Sequence, residues 1–127
     1  MKHELEIYII TPWYHSMIKR EITTELLLAA SEYPVITILG PRQSGKTTLA
    51  KLTFPEHRYC SLEEPDIRRY ATEDPRAFLQ TYSDHVIFDE IQRVPELLSY
   101  IQTIVDKDNT KGRFILTRHR FSISRFS

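Results

Sequence analysis

The stretch from Gly40 to Thr48 constrains the fold of this chain more than any other segment. It reads Gly-Pro-Arg-Gln-Ser-Gly-Lys-Thr-Thr and matches the P-loop pattern, in which two glycines separated by four residues precede Lys and then Ser or Thr. An apolar run, residues 35–39, leads into it, and the helix-forming residues 49–52 follow it. The segment therefore predicts a strand, a tight loop and a helix in succession. A chance match is the alternative, and this context argues against it.

The spacing of the glycines suits a loop that wraps around an anion. Because they lack a Cβ atom, Gly40 and Gly45 allow positive φ and a close approach of the backbone to phosphates. The loop amides and the amino end of the next helix can then donate hydrogen bonds to the same anion. We expect Lys46 to reach the β and γ phosphates and the Thr47 hydroxyl to bind Mg²⁺. The predicted nucleotide-binding residues are Gly40, Pro41, Arg42, Gln43, Ser44, Gly45, Lys46, Thr47 and Thr48, the last as an ordinary first-turn helix residue.

A second chemical landmark is an apolar strand that ends in two adjacent carboxylates, Asp89 and Glu90. Its position some forty residues after the P-loop favours a Walker B pattern. In that interpretation Asp89 binds Mg²⁺, directly or through water, beside Thr47. Glu90 points differently, because it is one residue further on, and acts on the attacking water as a general base. The alternative is a strand that merely happens to end in acidic residues.

The remaining pattern alternates helices and strands. A helix is predicted from about Ile18 to Ser31, a strand at 57–62, two short helical pieces within 63–80, a helix at 97–106 and a strand at 113–117. This alternation predicts a parallel α/β sheet with helices on both faces.

Thr117 lies at the carboxyl end of the last predicted strand, where ligand-contacting residues of parallel sheets gather. We expect its hydroxyl to contact the γ-phosphate or the attacking water. A threonine that only ends a strand is the alternative.

Composition narrows the classes of function. With 127 residues the chain has room for one domain with a substantial core. Its 17 basic and 17 acidic residues cancel, so nothing favours electrostatic binding of nucleic acid by the whole chain. Cys60 is the single cysteine, and no apolar run approaches the length of a membrane span. A reducing, cytoplasmic compartment is the expectation.

The two ends of the chain are predicted to lie outside the folded domain. Residues 1–16 are interpreted as an N-terminal extension, non-native or ill-ordered, although the alternation of Leu5, Ile7 and Ile9 with polar neighbours would suit a short strand. Residues 118–127 form a small basic tail that we expect to be solvated. The predicted domain is therefore residues 17–117.

Five segments together resemble the prokaryotic AAA-superfamily ATP-binding proteins, in which an AAA core precedes a C-terminal domain. The resemblance covers about residues 17–117, and its most distinctive part is Asp-Glu-Ile-Gln-Arg-Val-Pro. It implies a three-layer P-loop NTPase core of the ASCE/AAA type that uses ATP and Mg²⁺. The usual strand order of that branch is 5-1-4-3-2, counted from the P-loop strand. The matching segments are 40–50, 59–68, 73–79, 89–98 and 112–117.

The chain departs from the family after Thr117. The family continues with Gly-Ser, whereas Arg118 and His119 follow here. We interpret the chain as a truncated fragment with the order 1-4-3-2, without the fifth strand and the lid. On that interpretation the P-loop strand lies at an open apolar edge, which invites self-association. Nucleotide binding would be weak and turnover small. Arg42 and Arg93 could meet phosphate, although a surface salt bridge is favoured for Arg93.

The sequence thus predicts ATP binding, with Mg²⁺-dependent hydrolysis in the intact family and impaired hydrolysis here. The competing hypothesis is a non-enzymatic remnant or interaction fragment without nucleotide turnover. ATP or ADP is the expected partner, a membrane is not expected, and a nucleic-acid-binding module is a distant third possibility.

Overall fold

The computed structural model describes residues 7–10, 19–42 and 44–119, in which strands and helices alternate along the chain. None of the helices in these ranges has the length and apolar character that crossing a bilayer requires. The strands are β1 (Ile7–Ile10), β2 (Val35–Gly40), β3 (Arg58–Ser61), β4 (Val86–Asp89) and β5 (Phe114–His119), and the helices are α1 (Lys19–Ala30), α2 (Lys46–Thr53), α3 (Pro65–Glu73), α4 (Pro75–Thr81) and α5 (Leu97–Lys107).

Across the described residues the strands form one sheet with the order β1-β2-β5-β4-β3, and every neighbouring pair is parallel. Counted from the strand that precedes the P-loop, β2 to β5 have the order 1-4-3-2, which confirms the predicted arrangement. Parallel neighbours need crossover connections, and the helices supply them.

Helices cover both faces of the sheet, so the fold has three layers. Successive residues of a strand face opposite sides. On one face Ile36, Ile38 and Ile87 join a cluster with α1 and α2. On the other, Phe88 and Phe114 join a larger cluster with α3, α4 and α5. Because buried residues alternate between the two clusters, the central strands are apolar on both sides, as parallel sheets require.

The prediction that β2 would form an open edge is wrong. The backbone of β1 pairs with it in parallel, from Ile7 opposite Val35 to Ile10 opposite Ile38. An edge strand presents unpaired N–H and C=O groups, and a short strand earlier in the chain can satisfy them. The alternating pattern at 5–9 had suggested such a strand, but not where it would pair. The strands at the two edges of the described sheet are β1 and β3.

Two element boundaries are set by specific contacts. The acidic residue Asp74 separates α3 from α4, and its Oδ1 accepts a hydrogen bond from Ala77 N at 3.1 Å, which caps α4. The last strand, β5, runs two residues beyond the predicted end at Thr117. Its residues 118 and 119 pair with Leu39 and Gly40, which end β2.

Candidate nucleotide-binding site

The carboxyl ends of β2, β4 and β5 come together at one edge of the sheet. The P-loop segment follows β2, Asp89 ends β4, and Thr117 lies in β5 next to both strands. This is the edge at which parallel α/β sheets bind their ligands. The strand order therefore gathers residues that are far apart in the sequence.

The P-loop segment turns sharply into α2 at Gly45, whose φ is 94°. A Cβ atom there would meet nothing within 4 Å, so the loop is open on that side. The Ser44 hydroxyl is buried and has no hydrogen-bond partner within the described residues. Lys46 is 4% exposed, and its Nζ donates to Pro41 O at 2.9 Å across the loop. A buried hydroxyl without a partner and a buried ammonium, in a loop that is open at Gly45, fit a bound anion.

Asp89 is held by three hydroxyl groups from three different elements. Its Oδ1 accepts hydrogen bonds from Thr47 Oγ1 at 2.9 Å and from Thr117 Oγ1 at 2.5 Å. Its Oδ2 accepts one from the Tyr59 hydroxyl at 2.6 Å. Burial, and then the hydrogen bond to Asp89, raise the pKa of Tyr59 above its ordinary value, so the phenol stays protonated and donates.

Thr47 and Asp89 retain oxygen lone pairs that could bind a cation. The Thr47 hydroxyl gives its single hydrogen to the carboxylate, so its oxygen lone pairs remain for a metal. Asp89 itself is 6% exposed and offers carboxylate oxygens, which Mg²⁺ prefers. These two residues therefore fit Mg²⁺ as a ligand pair.

Glu90 leaves the strand conformation, with a φ of 61° in the left-handed region. Such a conformation is uncommon for a residue other than glycine. Its N–H donates to Thr117 Oγ1 at 3.0 Å, while the same hydroxyl donates to Asp89. The fully buried Thr117 thus links the two acidic residues, and the left-handed turn separates the directions of their side chains.

The Glu90 carboxylate is held by two nitrogen atoms. Gln92 Nε2 lies 2.5 Å from its Oε1, and His119 Nδ1 lies 3.1 Å from the same oxygen. Burial favours the neutral acid, but the hydrogen bonds from Gln92 and His119 and the charge of Lys46 outweigh it and lower the pKa of Glu90. The residue is therefore an ionised acceptor at neutral pH.

Two arginines share one carboxylate at the mouth of the loop. Arg42 and Arg93 each place their Nη2 atom 3.2 Å from Glu63 Oε2. The three side chains are between 39% and 53% exposed, so these ion pairs contribute little to stability. A surface salt bridge of Arg93 had been predicted, and the structure confirms it.

The structure brings most of the sequence-predicted residues together. Gln43 lies outside the described residues. Thr117 is next to the site, but its hydroxyl is already used by Asp89 and Glu90, so direct contact with phosphate or water stays a prediction. The predicted residues that share this edge of the sheet are Gly40, Pro41, Arg42, Ser44, Gly45, Lys46, Thr47, Thr48, Asp89, Glu90 and Thr117.

Sequence reasoning missed three of the residues that hold the two carboxylates, namely Tyr59, Gln92 and His119. Tyr59 lies on β3, two residues before its polar end, and its contact with Asp89 depends on the parallel register of β3 and β4. Gln92 and His119 meet Glu90 because of a left-handed turn and an extended β5. No local pattern signals any of these contacts.

Comparisons with known proteins identify the family of the chain. The family model described as "AAA domain" matches residues 32–118. Uncharacterised proteins from Mycobacterium bovis and Mycobacterium tuberculosis are each 34% identical to the chain over 101 residues, which cover 77% of this chain and 22% of theirs. The chain thus spans about a fifth of the length of these curated relatives. No solved structure matches it.

Proposed function

We propose that this chain, which belongs to the AAA domain family, binds ATP together with Mg²⁺ at the P-loop and hydrolyses it with Glu90 as the general base. The observation that carries the proposal is the 2.9 Å hydrogen bond between Thr47 and Asp89. It joins the end of the P-loop to the end of β4 across 42 positions of sequence. Such a pairing of hydroxyl and carboxylate is the arrangement that P-loop NTPases use for their metal.

The loop residues would bind the phosphates. The Lys46 ammonium, now donating to Pro41 O, has further hydrogens for phosphate oxygens. The orphaned Ser44 hydroxyl would find in a phosphate oxygen the acceptor that it lacks among the described residues. Thr47 and Asp89 would hold Mg²⁺, which, when bound, neutralises charge on the β and γ phosphates.

Glu90 would accept the proton of the attacking water. The water oxygen bonds to the γ-phosphorus as the bond from that phosphorus to the bridging β,γ-oxygen breaks, and the proton passes to the carboxylate. The lowered pKa of Glu90 keeps it ionised for this role. Its left-handed backbone directs it away from Asp89, so that one carboxylate can serve the metal and the other the water.

Titration calorimetry with ATP and Mg²⁺ tests the binding half of the proposal. We expect heat for the unaltered chain and at least a tenfold loss of affinity for Lys46→Ala, because its buried ammonium would pair with the phosphates. Lys111→Ala is the matched control, since this exposed lysine lies in the loop before β5, where it donates to Asn109. No heat at millimolar ATP, or equal affinity for both variants, would refute binding at this site.

Phosphate release under saturating ATP tests the catalytic half. Glu90→Gln keeps the shape of the side chain but removes its basicity, and we expect turnover to fall by roughly a hundredfold or more with ATP affinity retained. Glu56→Gln, an exposed change in the turn before β3, serves as the control. Equal turnover in Glu90→Gln and the unaltered chain would exclude Glu90 as the base.

A further inference from the structure

We propose that His119 is a positioning residue for Glu90, holding one oxygen of its carboxylate so that the other oxygen faces the attacking water. The inference rests on the proposed function, since it assigns a partner to the general base. Because residue 119 pairs with Gly40, the imidazole is carried to the first glycine of the P-loop, next to the end of β4. A strand ending at Thr117 would not reach this position.

Two nitrogen atoms form a close triangle with Glu90 Oε1. Gln92 Nε2 is 2.5 Å from that oxygen, His119 Nδ1 is 3.1 Å from it, and the two nitrogens are 2.9 Å apart. The Glu90 and His119 side chains are only 12% and 15% exposed. Hydrogen bonds in such a shielded place are stronger than at the surface, and a misplaced proton is correspondingly costly.

The Glu90 Oε1 atom, as an acceptor, constrains where the hydrogens of this triangle lie. If the Gln92 amide were turned over, its oxygen would lie against Oε1, and two acceptors would face each other. The nitrogen therefore faces Glu90. If His119 Nδ1 carried no proton, its lone pair would also point at Oε1 from 3.1 Å. The Gln92 amide nitrogen can only donate, so it would favour a lone pair on His119 Nδ1, 2.9 Å away, whereas the Glu90 oxygen favours a hydrogen there. Because a hydrogen bond to a carboxylate is the stronger of the two, we assign the hydrogen to Nδ1, which donates to Glu90.

Both donors fall on the same oxygen of the carboxylate. Within the described part of the chain no hydrogen bond reaches Glu90 Oε2. A carboxylate held through one oxygen by donors from two elements cannot rotate freely, so the second oxygen keeps one direction. This is the requirement for a general base, which must lie within hydrogen-bond reach of the water it deprotonates. Gln92, in the turn after Glu90, supplies one donor, and His119 supplies the other from β5.

Kinetics of two substitutions test the assignment. His119→Ala removes the donor, and we expect kcat to fall about tenfold or more while KM and the affinity for ATP change less than twofold. His119→Asn places an amide nitrogen near the position of Nδ1, and we expect it to recover most of the lost kcat. If His119→Ala leaves kcat unchanged, or if His119→Asn is as impaired as His119→Ala at equal thermal stability, the positioning role is overturned.

A spectroscopic measurement tests the same assignment without turnover. The ¹⁵N spectrum of histidine-labelled protein is expected to show the hydrogen of His119 on Nδ1, and Glu90→Leu is expected to remove that preference. An unprotonated Nδ1 in the unaltered chain would overturn the inference. The two proposals can fail separately. If Glu90→Gln retains turnover, Glu90 is not the general base. If Glu90→Gln is inactive while His119→Ala is fully active, only the role of His119 is refuted.

Discussion

Two neighbouring carboxylates, Asp89 and Glu90, are held by opposite kinds of group. Asp89 ends a strand and is surrounded by hydroxyls, two from threonines and one from Tyr59. Glu90 follows in a left-handed conformation and is held by nitrogen donors of an amide and an imidazole. A hydroxyl that donates still has lone pairs to offer, whereas an amide or imidazole N–H can only donate. The hydroxyls around Asp89 can therefore share a cation with it, and the nitrogen donors around Glu90 can only orient an anion.

The largest effect is expected from removing the charge of Asp89 while leaving Glu90 unchanged. Asp89→Asn replaces the charged carboxylate that would hold Mg²⁺ by a neutral amide. The amide NH₂ group would face hydroxyls that donate to the carboxylate in the unaltered chain. We expect the Mg²⁺-dependent affinity for ATP to fall about a hundredfold, or about 2.7 kcal/mol. Calorimetry with and without Mg²⁺ measures this.

Asp66→Asn, an exposed change in the first turn of α3, is the control for that measurement. Two results would show that Asp89 does not hold the metal. In one, Asp89→Asn binds ATP as tightly as the unaltered chain. In the other, chelating Mg²⁺ lowers the ATP affinity of both proteins equally.

A smaller effect is expected from removing the Thr117 hydroxyl, which connects Asp89 to Glu90. Thr117→Val has nearly the same shape but leaves the Glu90 N–H without its acceptor and Asp89 without one donor. We expect the free energy of unfolding to fall by about 2 kcal/mol. Urea denaturation measures it, and Thr117→Ser, which keeps the hydroxyl, should recover most of the loss. Equal stability of the valine variant would show that the two acidic residues are held independently.

The smallest effect is expected at the outermost hydroxyl around Asp89. Tyr59 is 38% exposed, so Tyr59→Phe removes one hydrogen bond to Oδ2 without opening a cavity. We expect a loss of about 1 kcal/mol in the free energy of unfolding and less than a threefold change in ATP affinity. Tyr100→Phe, on α5, is a matched change away from the site. If Tyr59→Phe lost as much ATP affinity as Asp89→Asn, the Tyr59 hydroxyl would be essential for metal binding at Asp89.

The sequence predicted the elements of the site whose evidence is local. A glycine spacing with a strand before it and a helix after it identifies residues 40–48, and an apolar run that ends in acid identifies Asp89 and Glu90. Alternation of helices and strands predicts parallel pairing, and the structure has the expected order of β2 to β5. The strand order was implied by the resemblance to the AAA superfamily, whereas the other inferences depend on neighbours along the chain.

The parts that could not be predicted depend on register and on single torsions. The contact of Tyr59 with Asp89 requires the pairing of β3 with β4, and the contact of His119 requires two more residues in β5. The left-handed φ of Glu90 brings Gln92 to its carboxylate, although glutamate gives no preference for that conformation. The edge of β2 was misjudged for a similar reason: a short strand can be recognised locally, but its pairing partner cannot.

The strand order also decides when the sheet can be completed. The strand between β2 and β4 is β5, which is the last strand in the described part of the chain. During synthesis β1 and β2 can pair around α1, and β3 and β4 can pair around two helices, before β5 has left the ribosome. Until then the two halves have no shared strand, and their inner edges stay exposed. Long-range pairings of this kind form slowly and expose apolar surface while they wait. The nascent chain is therefore most prone to aggregate just before β5 has been synthesised.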